Sequence, residues 1–286
     1  GVRMVPVGAG NHERVLAALE RLHPQALPAT PSYAVYIAES ARLRGLDPAS
    51  FGLRAIVVGG EPGGGEPATR DFIETAFGAT CREIMGIGDI AVSLWAEPAD
   101  APPEGMHFCG QDFVHVELVD PETGAPVPFE AGAAGELVYT HLQREAAPLL
   151  RFRSRDHVMV TATGAGPTGR MGPRVRCIGR TDDLLIVRGV NVFPSAIREI
   201  VGGFQPAVSG AILVRPAVRG VRQDPPLPVQ VELGEGETAA AGLAERLEQA
   251  IRARLIVSVR VELVPFGTLP RTDYKARLVD FGDAAR

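Results

Sequence analysis

Leu53-Arg54-Ala55-Ile56-Val57-Val58-Gly59-Gly60 reads as a buried β-strand that runs into a glycine turn. Upstream, Asn11 can cap a helix whose Val15, Leu16, Leu19 and Leu22 fall at helical spacing. Residues 27–32 read as a break, and a second helix is predicted over 33–44, ending near Gly45. Downstream, 69–77 has a helical pattern and 80–85 reads as the next strand. Strand and helix in alternation predict an α/β fold with a parallel-sheet layer over about residues 1–90. The chain opens Gly1-Val2-Arg3-Met4-Val5-Pro6-Val7-Gly8, which reads as a buried strand already under way with no initiating methionine. An N-terminal portion is therefore expected to be missing.

The pattern changes after Asp89. Residues 113–120 and 135–140 are strand-like around the turn Pro121-Glu122-Thr123-Gly124, and 175–178 and 184–187 continue the β pattern. The Gly-, Pro- and Thr-rich stretch 161–173 is predicted to be a loop. A β-rich subdomain over about 105–181 follows from this. Further on, 194–201 has a helical pattern, and 211–215 and 229–233 read as strands. The stretch 239–255 forms an amphipathic helix with Leu243, Leu247, Ile251 and Leu255 at four-residue spacing, and 257–264 reads as a strand. The prediction is a large domain fragment over 1–181 and a small α+β domain over 182–286.

The totals exclude several classes. A formal net charge of −5 supplies no overall basic field for nucleic acid or an anionic membrane. No apolar run approaches the ~18 residues of a spanning helix, and no signal peptide is visible. Cys81, Cys109 and Cys177 are scattered and odd in number, which fits a reducing cytoplasm better than a disulfide framework. His107 and Cys109 are close in sequence, but one of each does not make a four-ligand zinc site.

Four motifs in order carry the chemistry. They are Gly59-Gly60-Glu61-Pro62, then Leu150-Arg151-Phe152-Arg153-Ser154-Arg155-Asp156, then Gly179-Arg180-Thr181-Asp182-Asp183 leading into Arg188-Gly189-Val190-Asn191-Val192-Phe193-Pro194, and last Leu269-Pro270-Arg271-Thr272-Asp273-Tyr274-Lys275-Ala276. By itself each has an ordinary reading as a strand-end turn, a surface ion pair, a hairpin glycine or a solvated lysine. Together they resemble the phenylacetate–CoA ligase branch of the adenylate-forming superfamily, over nearly the whole chain.

The resemblance implies a two-step reaction. ATP and a carboxylic acid give an acyl-adenylate and pyrophosphate, and the thiol of CoA then attacks the acyl carbon. It implies nucleotide contacts at Gly59, Gly60, Glu61, Pro62, Glu83, Ile84, Met85, Gly86, Asp156 and Arg180. Asp156 would hold the ribose hydroxyls, since a carboxylate accepts two hydrogen bonds. Asp182 would be the hinge of the small domain. Arg188, Gly189, Val190 and Asn191 would form the face turned toward CoA. Lys275 would bridge the acid and the α-phosphate during adenylation. The expected partners are an aromatic or arylacetic acid, ATP and CoA, with a homodimer plausible from the family.

The chain also departs from the family pattern. Where the family has Tyr-Gly-x-Ser/Thr-Glu, it has Met85-Gly86-Ile87-Gly88-Asp89. Met85 replaces a ring that would stack on adenine, and Asp89 keeps a carboxylate for Mg²⁺ one methylene shorter. The family's Ser/Thr/Gly-rich phosphate loop is expected upstream; Gly8-Ala9-Gly10-Asn11 lacks its hydroxyls and lysine. Two alternatives stay open: a degenerate non-catalytic homologue, and adenylation with transfer to a carrier-protein thiol.

Overall fold

The computed structural model describes residues 1–8, 11–99, 103–166, 168–272 and 275–282. Ala9 and Gly10 of the glycine stretch, and Asp273 and Tyr274 of the last motif, lie outside the described residues. The chain divides into two compact units, Gly1–Glu83 with Pro270–Ala276, and Ile84–Leu269 with Arg277–Arg286.

The first unit is the expected α/β layer. Its elements are α1 (His12–Leu22), β1 (Ala26–Ala29), α2 (Pro31–Leu43), β2 (Ala55–Val58), α3 (Pro67–Phe77) and the first half of β3 (Thr80–Ile87). β1 pairs with β2 and β2 with β3, both parallel, with Ala29 opposite Val58 and Val58 opposite Glu83. The helix starts follow from capping: Asn11 Oδ1 accepts from Arg14 N and Thr30 Oγ1 from Tyr33 N, while Pro31 and Pro67 occupy first turns that need no N–H there. Leu16, Leu19, Ile37, Ile56, Ile73 and Phe77 fill the core. Each such side chain contributes about 1.5–3 kcal/mol by leaving water.

Two expectations fail here. Residues 1–8 form no strand, and Val2 and Met4 are exposed. Apolar residues make a strand only where a neighbour takes up their backbone groups, and none does so among the described residues. Conversely, the predicted break at 27–32 contains β1. Pro28 suggested a loop, but β1 ends the strand order and among the described residues pairs only with β2, so its other edge tolerates a missing N–H.

In the second unit the end of β3 leads an antiparallel sheet. Its other strands are β4 (Ala91–Ala96), β5 (Met106–Phe108), β6 (Val114–Val119), β7 (Ala134–His141), β8 (Phe152–Ala162) and β9 (Arg174–Arg180), in the order β3-β4-β5-β9-β8-β7-β6. β4 and β5 were not expected from the sequence, and β8 runs through Asp156. Leu94, Trp95, Met106, Leu137 and Tyr139 lie at its core, and the Trp95 indole N–H donates to the Tyr139 hydroxyl at 2.8 Å. Burial pushes that phenol well above its usual range.

A short turn, Thr181–Asp183, leads into the hairpin β10 (Leu185–Val187) and β11 (Val190–Val192). Then come α4 (Pro194–Gly202), β12 (Val208–Val214), β13 (Arg222–Gln223), β14 (Leu227–Leu233), α5 (Leu243–Leu255) and β15 (Val259–Val264). β14 lies between β12, antiparallel, and β15, parallel. α5 starts four residues later than predicted, because Gly242 takes φ +76° just before it and excludes 239–242 from the helix. Its Leu243, Leu247 and Ile251 enter a core that, among the described residues, draws on Leu185–Val279, with Ile197, Val229 and Val231.

Candidate active site

The strand β2 is followed by Gly59, whose N–H donates to Ala29 O at 3.1 Å. Gly60 follows at φ +88°, a backbone region that side chains avoid. A Cβ built there would lie 3.4 Å from Lys275 Cε. The Lys275 stem therefore passes beside Gly60, where the missing side chain leaves it room. Glu61 holds this arrangement. One carboxylate oxygen accepts from Ser32 N at the start of α2 at 2.9 Å, and the other from Ala276 N at 2.7 Å. The helix N-terminus favours a negative group at that point. On the far side of Lys275, the Arg271 guanidinium grips the Glu39 carboxylate at 2.8 and 3.2 Å, with both side chains largely buried.

Glu83, in the same unit, is buried, and Gly64 packs on it so closely that a Cβ would meet its Cγ at 2.9 Å. Thus the first unit brings Gly59, Gly60, Glu61, Pro62 and Lys275 together in one small region. The sequence reading missed Glu39, Arg271 and the carboxylate role of Glu61. One signal for Lys275 was countable: it is the chain's only lysine among 29 Lys and Arg residues.

The second unit holds Asp156, Arg180 and Asp182 as a linked set. Asp156 and Arg180 face each other across β8 and β9. The Arg180 guanidinium donates to Asp156 at 3.2 Å and, with two nitrogens, to Asp182 at 3.0 and 3.1 Å. Burial lowers its pKa, but the Asp182 hydrogen bond and the charges of Asp156, Asp182 and Asp183 more than offset this and hold it above its usual value. Asp182 itself is exposed, between β9 and β10.

Arg188 and Gly189 form the two-residue turn between β10 and β11, at φ +49° and +82°. Two left-handed residues give the turn whose twist matches its strands. Arg188, Gly189 and Asn191 are exposed, while Val190 packs on the core below. Just beyond, the Phe193 ring fills the space where a Gly179 Cβ would stand, 2.4 Å from its Cδ1, and Ser195 Oγ donates to Ile178 O at 2.6 Å.

Ile84, Met85, Gly86 and Asp89 belong to this unit too. Met85 is buried in the β core beside Leu94 and Trp95. Ile84 pairs with Ala96 across the hairpin, and a Cβ on Gly86 would meet Val92 O at 2.1 Å. Asp89 is exposed at the turn. Among the described residues no three His, Cys, Asp or Glu side chains are grouped to hold a metal ion. A lone carboxylate fits Mg²⁺ only as one ligand beside the phosphates of a nucleotide. Likewise, no helix among the described residues is long and apolar enough to cross a membrane.

Residues 189–280 match the family model described as the AMP-binding enzyme C-terminal domain. The phenylacetate–coenzyme A ligase of Thermus thermophilus is 33% identical over 96% of the chain and 63% of its own length. That of Escherichia coli is 32% identical over 96% of the chain and 62% of its own. The chain thus spans somewhat less than two thirds of the curated relatives it matches. A solved 2-hydroxyisobutyryl-CoA ligase, in the postadenylation state in complex with R3-HIB-AMP, superposes with a TM-score of 0.85 at 31% identity, covering 99% of this chain and 59% of that one. The mixed α/β fold, the motif order and this likeness over almost every residue agree, and the chain is a homologue of the phenylacetate–coenzyme A ligases over somewhat less than two thirds of their length.

Proposed function

We propose that the protein activates an aromatic or arylacetic acid with ATP, as an acyl-adenylate, and passes the acyl group to CoA. The observation that carries this reading is the Lys275 stem lying against Gly60 on the turn 59–62. A lysine held beside a bare glycine backbone suits a nucleotide at that turn. Its ammonium can sit between the acid carboxylate and the α-phosphate and stabilise charge that develops as the bond forms. The phosphates would carry Mg²⁺, with Asp89 as a candidate ligand. Asp156, fixed by Arg180, would accept the ribose hydroxyls.

In this reading the division between a large part, 1–181, and a small part, 182–286, falls at Asp182. The turn Thr181–Asp183 is short and polar, and the carboxylate of its Asp182 is tied to Arg180. Rotation there would also release the Ser195–Ile178 hydrogen bond, the Phe193 ring packed on Gly179, the Arg176–Glu199 ion pair, and the Arg271–Glu39 and Ala276–Glu61 contacts. The hairpin turn at Arg188 and Gly189 offers backbone without side-chain cover, which suits the pantetheine arm of CoA. Three free cysteines accord with a reducing, cytoplasmic setting.

The test is acid-dependent exchange of pyrophosphate into ATP across a panel of aryl and arylacetic acids. Lys275→Ala should lower exchange by about 10²–10³-fold, the cost of removing one preorganised donor. Thioester formation from a supplied acyl-adenylate should survive it. Equal loss of both steps contradicts the role given to Lys275. A second reading, a non-catalytic homologue, draws on the burial of Met85 in the β core and on Asp89, which belongs to no group of three metal-binding side chains among the described residues. Absence of exchange with every acid selects it. Exchange without a CoA thioester points to a carrier-protein acceptor instead.

A further inference from the structure

We propose that Arg271–Glu39 and Ala276–Glu61 form a two-point clasp that positions Lys275 on the Gly60 turn. The purpose of the clasp rests on the adenylation reading; its existence does not. Residues 271–272 and 275–278 adopt no regular structure, so no helix or strand fixes where Lys275 goes. A long side chain on such a segment samples many positions unless the backbone is tied on both sides. The structure ties it on both sides.

Four residues before Lys275, the Arg271 fork meets Glu39 on α2 with two hydrogen bonds, at 2.8 and 3.2 Å. That geometry is planar and directional, so it fixes register as well as distance. One residue after Lys275, the Ala276 N–H meets Glu61 at 2.7 Å. Glu61 is already oriented by Ser32 N, so its second oxygen is presented rather than searching. Between the two ties, the stem passes Gly60, where the glycine leaves it room. Neither Arg271 nor Glu39 need touch the reacting atoms. They are positioning residues, and their charged chemistry makes a hold that can be released, as a buried apolar plug could not.

The chain supplies its own probe. An endoproteinase that cuts only after lysine has one site here, the bond from Lys275 to Ala276, and the N–H of that bond belongs to the clasp. Cleavage requires no nucleotide and no activity, so failure of the clasp and failure of the adenylation reading are separately visible. Arg271→Gln and Glu39→Gln should each speed cleavage of the full chain by about tenfold, the order expected when a paired charge loses its partner. Glu13→Gln, which breaks the ion pair with Arg44 elsewhere in the same unit, should leave the rate unchanged. The double variant Glu39→Arg with Arg271→Glu should restore protection toward the wild-type rate, which a merely misfolded protein would not do. Wild-type rates in both single variants, or a double variant cut as fast as they are, would overturn the clasp.

Discussion

At Gly86 a Cβ would lie 2.1 Å from the carbonyl oxygen of Val92, whereas at Gly189 nothing lies within 4 Å of where it would stand. Both glycines sit in antiparallel hairpins of one unit, and both were expected to border a ligand. In the first hairpin β3 and β4 approach so closely, with a register shift between Met85 and Ile87, that only glycine fits. In the second, glycine answers to backbone handedness alone, and the space above it is open. A motif glycine therefore has two distinct causes, close packing and left-handed backbone. Only the second leaves room for a substrate to pass.

Substitution at the two positions sharpens the contrast. Gly86→Ala forces a side chain into a backbone carbonyl, which cannot rotate away. It should cost about 1–3 kcal/mol of unfolding free energy, visible as a lowered denaturation midpoint. A cost near zero would mean that the β3–β4 hairpin relaxes freely, and the contrast would vanish.

Acid probes what lies next to the second hairpin. His157 lies 5.0 Å from the Phe193 ring, and its Nδ1 is buried without a hydrogen-bond partner among the described residues. Burial lowers its pKa below 6.5, against the opposing pull of Glu136 and Asp120. The unfolded chain takes up this proton near pH 6.5 and the folded chain only at lower pH. Stability from this site is thus complete above pH 6.5, declines as the pH falls below it, and levels off once the folded form is also protonated. Urea unfolding across that range should show the decline, and His157→Phe should flatten it.

The smallest effect belongs to Gly189→Ala. No neighbour crowds the new methyl, so only the positive φ is penalised, at about 1 kcal/mol. Transfer from a supplied acyl-adenylate to CoA should slow by more than this loss of stability explains. If transfer keeps its rate, the open space above the turn serves no substrate.

Much of this was legible from residues alone. Helical spacing at Val15, Leu16 and Leu19, four-residue spacing at Leu243, Leu247 and Ile251, and the glycine at the end of β2 all report local rules that the fold obeys. The four motifs located the candidate residues. What stayed hidden depended on partners far away in sequence. β1 needed the knowledge that Pro28 faces an unpaired edge. Glu39 looked like any charge on a helix, because its partner lies 232 residues further on. The different duties of Gly86 and Gly189 are invisible in a string of letters, since both are decided by what the neighbouring strand does.

Lys275 offers the most direct test, because an amine-directed label reaches no other side chain in the protein. Reductive ¹³C-methylation keeps its charge and adds one side-chain resonance, distinct from that of the terminal amine. Titration with a non-hydrolysable acyl-adenylate analogue should move that resonance saturably, as the ligand fills the turn 59–62 beneath it. A resonance at the position of free dimethyl-lysine, unmoved at any concentration of the analogue, would contradict the account.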